Sequence, residues 1–171
     1  MKIVLPTSWD GVTFDQYQQI IDIVKPDAVL SAMEQLDLNL QFISIFSGVA
    51  VNELENLPIN RIGKLMNELH WMDKPINRKK ATFKVVKFDH ITYDAFVHFN
   101  KLAESKTTNQ IEYLSLFVDI PKDELKQKPI TEIMDGFFLL NRRYNKYTIC
   151  LAISLILKRI MYRMRNRINR N

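Results

Sequence analysis

One cysteine, four glycines and six prolines in 171 residues rule out several kinds of protein at once. A single thiol, Cys150, can form no intramolecular disulfide and can build neither a zinc cluster nor a redox pair. In its apolar setting it is expected to be a small buried hydrophobe. The glycines at 11, 48, 63 and 136 never cluster, so there is no loop to cradle a phosphate. Ser44 and Ser115 lack the glycine elbow that would expose a nucleophile. Long apolar runs are missing as well. The longest, 149–157, is about half of the ~20 residues a bilayer requires, so membrane insertion is not expected. The apolar part of 1–11 is too short for a signal peptide, and the expected compartment is a cytoplasm. Acidic residues are absent after Asp135.

What remains is ordinary globular material with an internal echo. The 47% of apolar residues suffices for a core, and the scarcity of breakers suggests short connections between helices. Residues 40–62, LQFISIFSGVAVNELENLPINRI, align without gaps on 111–133, IEYLSLFVDIPKDELKQKPITEI, at an offset of 71. Phe46 falls on Phe117, Leu54 on Leu125, Pro58 on Pro129 and Ile62 on Ile133. Upstream, 9–20 aligns on 88–99 at an offset of 79, with Asp10 on Asp89, Thr13 on Thr92, Phe14 on Tyr93 and Asp15 on Asp94. Two blocks in the same order point to a tandem duplication. The expected organisation is a first helical repeat over 1–73, a second over 74–141 and a basic helix over 142–171, in one cooperative unit.

Local signals fill in that plan. Thr13 with Gln16 has the form of a capping box for a helix to Val24, with Phe14, Tyr17, Ile20, Ile21 and Val24 as its apolar stripe. Thr92 repeats the cap, although Ala95 replaces the glutamine. Residues 28–36 are expected to form a short extra helix or turn, and 40–46 the buried end of a longer helical segment, stopped at Ser47 and Gly48. Pro121 can open a short helix over 122–126, and Pro58 and Pro129 mark further helix starts. The first of these helices is expected to reach Met72 on a face that includes Ile59. Phe83, Val85 and Phe88 alternate in polarity and could form a short strand paired with 3–5.

Candidates for chemistry are few. His90 and His98 are too far apart for a helical metal pair, and no metal, cofactor or catalytic constellation is expected. The repeated carboxylates Asp10, Asp15, Asp89 and Asp94 sit where helix starts favour negative charge, and Ser44 and Ser115 are expected to bond backbone carbonyls. The unusual feature is the C-terminal end. From Arg142 onward there are nine basic residues and no acid, which leaves the preceding part at −4 out of a total of +5. Ile149, Ile153, Ile156 and Ile160 keep helical spacing, with leucines broadening the stripe almost all round, so the helix start should be buried, in its own domain or against another chain. Beyond it, Arg159, Ile160, Arg163, Met164, Arg165, Arg167 and Ile168 form the candidate partner-binding set. Their mixture of cations and apolar anchors leaves three uses open: a solvated helix end, an acidic protein surface, or nucleic-acid phosphates.

The segments 5–17, 43–58 and 129–138, with LPTSW followed by VT, then ISIFSGV and ELENLP, then PIT leading to FF, resemble the tail assembly chaperones of tailed bacteriophages. The resemblance implies a helical, non-catalytic protein in the host cytoplasm that multimerises around a tail component during virion assembly. Related short-tailed phage proteins would instead be virion components. The implied partners are tail or other virion proteins and further copies of the chain. The basic C-terminal extension departs from that pattern.

Overall fold

The structure, a computed structural model, describes residues 3–24, 30–86, 90–104 and 110–168; the side chains of 100, 102–104, 110, 150–152 and 154–168 are outside that description. The chain is mainly helical, and its contacts gather into two compact units. One comprises Met1–Thr82 with Ile120–Asp135, the other Phe83–Asp119 with Gly136–Asn171. Residues 120–135, which sequence similarity counts in the second copy, therefore pack in the first unit.

In the first unit, helix α1 (Phe14–Ile23) starts at the expected capping box: the Gln16 N–H donates to Thr13 Oγ1 at 3.2 Å and the Thr13 N–H to Gln16 Oε1 at 3.1 Å. The box satisfies two amides that a helix start leaves open. Helix α2 (Ala32–Ser47) is longer than its apolar segment, because Ser31 and Glu34 form a second capping box. The stretch expected to be a separate helix or turn over 28–36 is thus in part the beginning of α2. Gly48 ends α2 at φ 71°, a left-handed position that suits glycine. Helix α3 (Val51–Glu55) leads to α4 (Ile59–Glu68), which opens at Pro58. Instead of running on to Met72, α4 tightens into a 3-10 turn at His70–Asp73, where the Leu69 N–H has already turned to Met66 O.

Helix α7 (Lys122–Gln127) and the first turns of α8 (Ile130–Ile168) complete this unit. Helix α1 packs on α2 and α7, and α2 on α3 and α4. Val12, Phe14, Ile43, Leu54, Leu125 and Ile130 are fully buried. The expected stripe of α1 is only partly interior: Phe14 and Ile20 are buried, whereas Ile21 and Val24 are exposed. Val24 is the cap that follows the helix, and the face covered by α2 and α7 takes the other two.

The second unit contains α5 (Tyr93–Glu104), α6 (Gln110–Ser115) and α8 from Gly136 onward. Phe99 is its aromatic centre, edge-on to Tyr113 at 5.0 Å and to Phe117 at 5.1 Å, and tilted on Tyr144 at 5.4 Å. Burial, and secondarily the neighbouring Tyr144, pushes the Tyr113 phenol above its ordinary pKa. The expected strand pairing of 83–88 with 3–5 does not occur among the described residues. Val85 makes an isolated antiparallel bridge to Val118, and the Val86 N–H donates to Phe117 O at 2.6 Å. No strand occurs among the described residues, and Phe88 and Asp89 lie outside them.

Local structure repeats at the sequence offsets. The amides of Leu54, Leu57, Arg61 and Ile62 donate to the carbonyls of Ala50, Leu54, Pro58 and Pro58; those of Leu125, Lys128, Glu132 and Ile133 donate to Pro121, Leu125, Pro129 and Pro129. Thr92 caps α5 through Ala95 N as Thr13 caps α1. Phe46 and Phe117 are both buried. These are correspondences of local structure, and a duplication of the whole repeat is a proposal that rests on them.

Two helical glycines are expected to respond oppositely to alanine. At Gly63 a Cβ would meet nothing within 4 Å, so Gly63→Ala should stabilise by about 0.5–1 kcal/mol through backbone entropy. At Gly136 the same atom would stand 2.8 Å from the ring of Phe83, itself buried. Overpacking costs about 1–3 kcal/mol and outweighs the entropic gain, so Gly136→Ala should destabilise. Thermal unfolding of the two variants checks both signs.

Candidate interaction site

Helix α8 carries the candidate residues. Its start follows from Pro129, whose carbonyl accepts from the amides of Glu132 and Ile133, and it continues unbroken to Ile168. Inside the second unit Leu140 is buried, and Arg143 Nη1 donates to the carbonyl of Val85. The Thr148 hydroxyl donates back to the Tyr144 and Asn145 carbonyls at 3.0 Å, which satisfies it within the helix.

Of the two kinds of cover expected for the start of the apolar run, the chain itself does not supply the first at two positions: Ile149 is 60% exposed and Ile153 51% exposed. At 3.6 residues per turn, Ile149 stands about 180° and Ile153 about 220° round the helix from the buried Leu140. Arg159, Ile160, Arg163, Met164, Arg165, Arg167 and Ile168 all lie on the helical backbone of α8, and their side chains, like that of Cys150, are outside the described residues.

A second feature escaped the sequence reading. The two tryptophans, far apart in the chain, meet edge to face at 5.0 Å, and Trp9 Nε1 donates to Lys74 O at 2.8 Å. Together with Asp10, Asn77 and Thr131 they line a cleft of about 160 Å³. Trp71 Nε1 and Thr131 Oγ1 are buried without a hydrogen bond of ordinary geometry. Asp10, expected near a helix start, lies in the first turn of the 3-10 helix Trp9–Gly11 and also pairs with Lys79 Nζ at 2.6 Å. That ammonium, opposed by desolvation and aided by the nearby Thr131 hydroxyl, holds its carboxyl below the usual range. Asp10 is therefore a charged partner at neutral pH and has no proton to give as a general acid.

Asp15 and Asp94 lie in the first turns of α1 and α5, as expected. Asp15 also accepts from Gln19 Nε2 at 2.9 Å. The Ser115 hydroxyl donates to the Glu112 carbonyl at 2.8 Å. Among the described residues no group of three or more His, Cys, Asp or Glu side chains could hold a metal ion, and no helix is long and apolar enough to cross a membrane. No protein family, curated protein or solved structure matches the chain.

Proposed function

We propose that this is a non-enzymatic assembly protein of a tailed bacteriophage, comparable in role to the tail assembly chaperones its motifs resemble, and that it works through protein contacts made by the C-terminal part of α8. The supporting observation is the pair Ile149 and Ile153, exposed on one side of α8 at the entrance to a segment with six basic residues from Lys158 onward and no acid. An apolar ridge that leads into cations suits a partner with an apolar groove and an acidic rim. Ile160, Met164 and Ile168 extend the supply of apolar anchors. Tail and other virion proteins are the proposed partners, in the host cytoplasm during assembly. A permanent place in the virion is the variant of the same reading.

The basic charge alone favours a second reading, contact with nucleic-acid phosphates. Purification from infected cells separates the two. Under the first, tail or other virion proteins co-purify and survive a salt wash. Under the second, nucleic acid is retained, affinity falls steeply with salt as counterions are released, and charge reversal at Arg163, Arg165 and Arg167 abolishes binding. Mass spectrometry of purified virions then distinguishes a component, present at fixed stoichiometry, from a factor that leaves.

A further inference from the structure

Within the first unit, residues 12–14 and 128–130 form a small reciprocal contact. The Phe14 N–H donates to Lys128 O and the Ile130 N–H to Val12 O, each at 2.9 Å, around an antiparallel bridge between Thr13 and Pro129. Helix α1 then lies on α7, and Val12, Phe14 and Ile130 are fully buried. Both sides of this contact have counterparts in the other copy. Residues 91–93, Ile91, Thr92 and Tyr93, correspond to 12–14, and residues 57–59, Leu57, Pro58 and Ile59, correspond to 128–130.

The counterparts keep the local geometry. Thr92 caps α5 as Thr13 caps α1, and Pro58 opens α4 with the same two bonds as Pro129 opens α8. They differ in cover. Among the described residues neither segment takes part in a bridge, and Tyr93 is 83% exposed and Ile59 69% exposed where Phe14 and Ile130 are sealed. The chain thus carries both halves of a contact it makes once. The change from Phe14 to Tyr93 puts a hydroxyl on a ring that stands in water, as an amphipathic interface residue would.

We propose that residues 91–93 of one molecule dock on residues 57–59 of a second copy and repeat between chains the contact made within each. The Tyr93 N–H would donate to Leu57 O and the Ile59 N–H to Ile91 O, with α5 laid on the neighbour's α3 as α1 lies on α7. The occupant is another copy of this chain because the two halves are complementary to each other and not to themselves. Such an interface is head-to-tail: every molecule offers one half and accepts one, so assembly continues until a ring closes or a filament grows. This surface is separate from the basic end of α8, and the inference does not depend on the function proposed for that end.

The test uses the full-length chain in sedimentation velocity over a concentration series, with Ile59→Asp and Tyr93→Asp as variants. Both sites are exposed, so far-UV circular dichroism should show the fold unchanged. The wild type should form species larger than a dimer. Each variant alone should be monomeric, with association weakened at least tenfold. An equimolar mixture of the two should give a discrete dimer and nothing larger, because one intact pair of halves remains. A monomeric wild type, variants that still assemble, or a mixture that stays monomeric would each overturn the proposal.

Discussion

Phe117→Ala is expected to lower the unfolding free energy by about 3–5 kcal/mol, enough to remove much of the ~5–15 kcal/mol that holds a typical domain together. The ring is fully buried and stands at 90° to that of Phe99, so its loss removes transfer energy, leaves a cavity and takes from Phe99 an edge-to-face partner worth about 0.5–1.5 kcal/mol. Backbone attached to the same residue is engaged too, since its carbonyl accepts from Val86. Urea unfolding followed by circular dichroism should show a lower midpoint at similar slope. Ile153→Ala is the control; that side chain is half exposed and should stay within about 0.5 kcal/mol. A cost for Phe117→Ala below about 1 kcal/mol would mean that the aromatic cluster does not hold the second unit together.

Removal of residues 158–171 is the second large effect, on binding and not on folding. Six of the nine C-terminal cations lie in that segment, so the formal charge falls from +5 to −1. Charged side chains of this density cannot enter a core without partners, and the fold should survive their loss. Capture of the proposed virion partner should fall at least a hundredfold while the circular dichroism spectrum keeps its helical form. Should the shortened chain fail to stay soluble, Ile153→Asp probes the same surface from an exposed position and should also weaken capture. Undiminished binding by both variants would remove α8 from the proposed function.

Where structure is local, these residues announced it. Thr13 with Gln16, Pro58, Pro129 and Gly48 each fix a helix end through bonds within four residues, and their places agree with the elements formed. Ser31 with Glu34 carries the same capping signature, within a stretch expected to be a short helix or turn of its own. Burial was less legible because it depends on distant chain. Phe14 and Tyr93 both begin helices capped by threonine, yet the first is buried and the second exposed. The alternation at 83–88 suggested a strand paired with 3–5, but pairing depends on distant chain, and Val85 bridges Val118 instead. For the candidate site, the sequence located the basic run and required cover over Ile149 and Ile153, but an all-round apolar helix does not say whether its own chain or another supplies it. The meeting of Trp9 and Trp71 had no sequence signal.

The return of residues 120–135 to the first unit has a consequence for synthesis on the ribosome. Residues 1–82 emerge first, but Val12 and Phe14 are sealed only by a segment that ends at Asp135, 53 residues later. At about 5–20 residues per second the nascent N-terminal helices wait roughly 3–10 s with that edge open. During this interval the second unit's segment from 83 to 119 is translated, and the edge that will receive residues 128–130 is the one to which a neighbouring nascent chain has access.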